Sequence, residues 1–221
     1  ARAEGGSEVV LFHDGAAASL GVGDAFVAAD LACGASRCAL LTSRVGRVAP
    51  AGADVVLFDG AAQTPLRTVT IEPAEGTSGA RPFGLVGVDG PRGVGAVLVD
   101  DDEAVFWKAE GDGGATAWAH VPAKYGVLEA MVLGDRPVIL AHGNVVDEQG
   151  CAREGSDAAG AKLQIGRAGE AAIELRTPGA PSLAALRPLG RGALAVWLAP
   201  LGCGAARQVV FAVVLDAAGV P

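Results

Sequence analysis

The segment FGLVGVDGPRGVGAVLVDDDEAVFWKAEGDGGATAWAHVP, Phe83 to Pro122, holds four apolar or alternating runs separated by Gly, Pro and Asp. The runs are FGLVGVDG, GAVLVDD, AVFWKAEGDG and ATAWAHVP. Runs this short, with turn residues between them, read as strands of one antiparallel meander. A sheet of four short strands has two faces and cannot bury both by itself. Stacking such sheets covers the faces and protects the edges. The stretch therefore predicts an all-β chain built from repeated small sheets.

The pattern extends outward in both directions. AFVAADLA (25–32), RTVTIEP (67–73), RPVILAHG (136–143), KLQIGRAG (162–169), AAIELRTP (171–178), GALAVWLAP (192–200) and QVVFAVVLD (208–216) are further runs of this kind. Only KYGVLEAMVLGD (124–135) has a helical look, and Gly126 and Gly134 bracket it too closely for a stable helix. VVLFHDGAA (9–17) is echoed by VVLFDGAA (55–62), 46 positions later. The densest apolar quartets are Val9–Phe12, Val55–Phe58, Ala104–Trp107, Pro137–Leu140 and Leu194–Trp197, spaced by 46, 49, 33 and 57 residues. Their mean spacing matches the roughly 40–50 residues of a four-stranded propeller blade. The expected fold is a β-propeller of about five small four-stranded antiparallel blades, occupying residues 1–221 as one domain. A four-bladed or partial propeller comes second and a β-sandwich third.

The C-terminal stretch Pro181–Pro221 resembles the repeat of bacterial secreted β-propeller proteins. A Pro-x-Leu-Ala-Ala strand leads through a Gly turn to an apolar strand with Val-Trp, then to an outer strand closing in LDAAGVP. The resemblance implies a fold and carries no catalytic residue. In such repeats LDAAGVP leads into a further outer strand. Either the chain is cut from a longer protein, or the N-terminal SEVVLFHDG completes the last blade. The start at Ala1-Arg2-Ala3 likewise reads as a processed or trimmed chain.

Composition limits the function classes. The 221 residues are long enough for a sizeable core, and 51% are hydrophobic, which argues against disorder. Arg outnumbers Lys 14 to 3, as GC-rich coding would produce, and the formal net charge is −8. With no basic cluster to neutralise phosphates, a nucleic-acid partner is not expected. No apolar run is long enough for a membrane helix.

Four cysteines lie in loop positions. Cys33 and Cys38 flank Gly-Ala-Ser-Arg between two apolar runs, where a hairpin turn would let the strand ends cross-link. Cys151 and Cys203 lie in Gly-flanked loops. The even count reads as two disulfides and an oxidising location: extracellular, periplasmic or cell-surface. Zinc spacing is missing.

Other candidates come with plainer structural readings. Asp100, Asp101, Asp102 and Glu103 could offer carboxylates to calcium, or form a solvated hairpin tip. No calcium-loop motif is present, and no cofactor is otherwise expected. His13 and His142 each follow an apolar run and, with Asp14, could hold a metal or else bond a turn. Trp107, Trp118 and Trp197 could stack on a sugar ring, or fill gaps between blades. Nucleophile-elbow, zincin and phosphate-loop motifs are missing, so no catalytic residue is assigned. The expected function is a secreted, non-enzymatic recognition or scaffold domain whose propeller loops bind a protein or glycan at the cell surface. The alternatives are a polysaccharide hydrolase or lyase using axial carboxylates, and a structural subunit of a larger extracellular assembly.

Overall fold

The computed structural model describes residues 10–13, 16–19, 26–35, 37–44, 52–59, 65–72, 80–88, 93–100, 102–109, 114–144, 161–202 and 206–221. Among these there is no helix, and every strand pairing with a described register is antiparallel. A short hairpin, β1 (Val10–His13) with β2 (Ala16–Ser19), is followed by four meanders. The first contains β3 (Phe26–Cys33), β4 (Arg37–Arg44), β5 (Ala53–Asp59) and β6 (Pro65–Ile71). The second contains β7 (Arg81–Val86), β8 (Gly95–Val99), β9 (Glu103–Ala109) and β10 (Ala115–Pro122). The third contains β11 (Val127–Leu133), β12 (Arg136–His142), β13 (Ala161–Arg167) and β14 (Ile173–Thr177). The fourth has three strands, β15 (Ser182–Leu189), β16 (Gly192–Pro200) and β17 (Gln208–Leu215). Each strand is hydrogen-bonded to its sequence neighbour, so the meander read from residues 83–122 is present as β7–β10.

The expected count of about five blades is corrected to four meanders. Of the first apolar quartet, Val10–Phe12 fall on β1, which pairs over four residues with β2 and among the described residues does not head a four-stranded sheet of its own. The remaining quartets do not mark one recurring strand. They lie on β5 and β9, third in their meanders, and on β12 and β16, second in theirs. What the quartets share is a central place in a sheet. Val55–Phe58 and Pro137–Leu140 are buried along their whole length, since both faces of a central strand are covered.

Residue contacts divide the chain into two compact units, 1–100 with 106–118, and 101–105 with 119–221. In the first unit, alternate residues of the first meander (Leu41, Val55, Leu57, Val69, Ile71) form one core with Val94, Ala96 and Leu98 of the second. The leading strands β3 and β7 lie against each other. In the second unit, Val138, Leu140, Leu163 and Ile165 of the third meander pack on Leu186, Ala193, Ala195 and Trp197 of the fourth. Here too the leading strands, β11 and β15, adjoin. Consecutive meanders stacked face on face, leading strand beside leading strand, form the local arrangement of propeller blades.

The turn that ends the chain explains the LDAAGVP motif. Asp216 N–H donates to the Val220 carbonyl at 2.8 Å, and Gly219 N–H to the Asp216 carbonyl at 3.0 Å. The Asp216 carboxylate accepts the N–H groups of Ala218 (2.8 Å) and Val220 (2.9 Å). Gly219 sits at φ +76°, a conformation that glycine adopts without steric cost.

Close packing at the β16–β17 pairing is testable with two glycines. A Cβ at Gly192 would overlap the backbone carbonyl of Leu215, whereas one at Gly202 would meet nothing within 4 Å. Urea unfolding should show Gly192→Ala less stable by about 3 kcal/mol. Gly202→Ala should stay within about 0.5 kcal/mol of the parent.

Candidate functional site

The hairpin β3–β4 brings Cys33 and Cys38 into register as direct cross-strand partners. The two form a disulfide with Cα atoms 4.0 Å apart, beyond a turn in which Gly34 N–H donates to the Arg37 carbonyl at 2.8 Å. Cys151 and Cys203 lie outside the described residues. A covalent tie across this short loop removes chain entropy from the unfolded state. Replacing both cysteines by serine should lower stability by about 2 kcal/mol in denaturant titrations. In the unfolded, unreduced protein, neither Cys33 nor Cys38 should react with a thiol reagent.

The acidic run 100–103 joins β8 to β9. Asp100 is partly buried and Asp102 exposed, while Asp101 lies outside the described residues. The Asp102 carbonyl accepts the N–H of Ala123 at 2.8 Å. Glu103 begins β9, and its two carboxylate oxygens lie 3.1 and 3.2 Å from Nδ1 of His120 on β10. The pair is exposed, and His120 was not among the candidates read from sequence. Among the described residues, no group of three or more His, Cys, Asp or Glu side chains comes together as a metal-binding cluster.

His13 lies on β1, but its side chain and all of Asp14 fall outside the described residues. His142 ends β12. Its N–H donates to the Gly126 carbonyl at 3.0 Å, and its ring Nδ1 is buried without a protein partner. Next to it, buried Asn144 accepts the Lys162 N–H at 2.9 Å, and Gly143 N–H donates to the Lys162 carbonyl at 2.9 Å. Burial of the His142 ring disfavours the imidazolium and holds its pKa below the ordinary 6.5.

Of the three tryptophans, Trp197 is only 4% exposed and stacks on Phe211, with ring centroids 5.8 Å apart. Trp107, on β9, packs against the core of the first unit. Trp118, on β10, meets Phe106 edge-on at 5.9 Å. The indole N–H groups of Trp107 and Trp197 are buried without a protein partner.

Several other polar side chains act between strands. A bulge between Ala28 and Asp30 interrupts the β3–β4 register. The Asp30 carboxylate accepts the N–H of Leu31 at 2.8 Å and that of Leu85, on β7, at 2.7 Å. Lys162 pairs with Glu174 at 2.8 Å, and Arg187 with Glu129 at 3.6 Å. Glu170 pairs with both Arg136 and Arg167. The hydrogen bonds from Val220 and Ala218 hold the Asp216 carboxyl below the usual carboxylate range, with smaller help from Arg167 and Arg136.

Apolar exposure is distributed unevenly. Of the eight large apolar side chains exposed among the described residues, five belong to the fourth meander and its loops: Leu183, Leu189, Leu201, Val210 and Val214. Leu183 is the most exposed, at 79%. It lies at a register shift between Ser182 and Ala185, with φ at +42°, a left-handed conformation costly for a side chain with a Cβ.

No protein-family model matches the chain, and comparisons with curated proteins and with solved structures find no match. The likeness of Pro181–Pro221 to propeller repeats therefore bears on fold: that stretch forms the β15–β17 meander and its closing turn.

The two shifted groups both lose stability as pH falls, over separate windows. His142 binds a proton less readily folded than unfolded, so its contribution is complete above the unfolded pKa near 6.5 and declines as pH falls from there toward its folded pKa. Asp216 contributes above its unfolded pKa near 3.8, and this is lost as pH falls through the lower folded value. Thermal melts should show stability falling below pH 6.5, and His142→Gln should flatten that first decline while leaving the acid limb below pH 4.

Proposed function

We propose that this chain is a non-enzymatic recognition or scaffold domain that works through contact with protein, as a structural subunit of a larger assembly, outside the reducing cytosol. One observation carries this reading: the concentration of exposed apolar side chains on the fourth meander, headed by Leu183. Large apolar side chains left exposed together on one small sheet and its loops mark an interaction surface. Leu183 also carries the cost of a left-handed backbone, and strain retained at an exposed position points to use by a partner. The acids with described partners serve the fold: Asp30 ties β3 to β7, Asp216 closes the terminal turn, and Glu129, Glu170 and Glu174 pair with cations. The Cys33–Cys38 disulfide supports an extracellular, periplasmic or cell-surface setting, and with it the bacterial secreted origin that the terminal repeat implies.

Site-selective photocross-linking in the producing cells tests the reading. A benzoylphenylalanine in place of Leu183 should give discrete protein adducts, while the same probe in place of exposed Leu66 on β6 should give none. No adduct at Leu183, or equal adducts at both positions, refutes it. Leu183→Asn, which tolerates a left-handed backbone, should raise the stability of the isolated chain by about 1 kcal/mol and reduce assembly.

A further inference from the structure

The outermost strand of the fourth meander differs from every other edge strand of the four meanders. β3 carries Asp30, β6 carries Pro65 and Arg67, and β7 carries Arg81 and Pro82. β10 carries His120 and Pro122, β11 carries Glu129, β14 carries Glu174 and Arg176, and β15 carries Arg187 and Pro188. Charges and prolines on an edge discourage another strand from adding to it. β17 reads QVVFAVVL, with neither a charge nor a proline. Its sheet also has three strands where the other meanders have four, and among the described residues nothing pairs with its outer edge. One face of β17 presents Val210 (63% exposed), Ala212 and Val214 (56% exposed) to solvent.

We propose that β17 pairs with β17 of a second copy of this chain, antiparallel and edge to edge, making one continuous six-stranded sheet. This rests on the reading of the fourth meander as an interaction surface and names its partner. Charge favours the self-pairing. β17 is flanked by Arg207 on one side and Asp216 on the other, both exposed. Antiparallel pairing brings the Arg207 end of each strand to the Asp216 end of the second copy, so opposite charges meet at both ends. Parallel pairing would instead set like charges together.

Symmetry fixes the register further. A two-fold axis normal to a sheet keeps each side chain on its own face, so one residue must lie opposite its own copy. With Ala212 in that place, Val210 lies opposite Val214 of the second copy. These two exposed valines are then covered together, and the oppositely charged strand ends stay side by side. Directly opposed Cα atoms in such a ladder are about 4.5–5.5 Å apart, within the span a disulfide bridges.

Ala212→Cys therefore tests the pairing. On mild oxidation the full-length variant should form a covalent dimer, as the parent should not. Light scattering on the parent should give twice the chain mass. Val210→Lys with Val214→Lys places like charges opposite each other and should weaken the dimer at least about tenfold. Val210→Lys with Val214→Glu places opposite charges there and should retain it. All these positions are exposed, and circular dichroism checks that each variant folds. A monomeric parent, including one whose β17 edge is covered by its own chain, overturns the proposal. So does a dimer indifferent to the two charge variants, or one in which Ala212→Cys fails to cross-link. If Leu183 still gives adducts with other proteins in any of these cases, only the self-pairing fails and the interaction surface stands.

Discussion

The structure depends on the inability of a three- or four-stranded sheet to cover its own two faces. An apolar central strand such as β5, β8 or β12 is tolerable only if something packs above and below it. The chain meets this requirement with more of the same unit: the first meander packs on the second, and the third on the fourth. Ala, Val and Leu dominate because closely stacked small sheets leave little room for larger side chains. The few aromatics appear where more volume must be filled, as with Trp197 against Phe211.

How much of this could be read from the sequence depended on how local the cause was. The meander of residues 83–122 was legible because period-two runs and turn residues alternate within forty positions. The Cys33–Cys38 link was legible because both cysteines flank one turn. The number of blades was not. Apart from the one at the opening hairpin, the apolar quartets mark central strands, second in some meanders and third in others, so their spacing does not count sheets. The opening hairpin added a quartet with no four-stranded sheet behind it.

The polar contacts were hidden for a different reason. Glu103 meets His120 across 17 positions, and Asp30 reaches Leu85 across 55. The second contact sits at a bulge in β3, and nothing in VAADLA announces one. Leu183 is similarly silent, since an ordinary Leu in an ordinary strand pattern gives no sign of a left-handed backbone. LDAAGVP was visible as a motif before its cause was. The Asp is there to accept two amide hydrogens, and the Gly to let the chain fold back over it.

Every described sheet is assembled from strands adjacent in sequence. Apart from the 18-residue connection between β12 and β13, only short loops of eight residues or fewer close within a meander, so the entropic cost of those steps is small. During synthesis, a meander can complete its hydrogen-bonded ladder as soon as its last strand leaves the ribosome, and within each unit the second meander then forms against the finished surface of the first. Folding from the N-terminus onward is thus written into the connectivity, and the order of translation becomes the order of assembly.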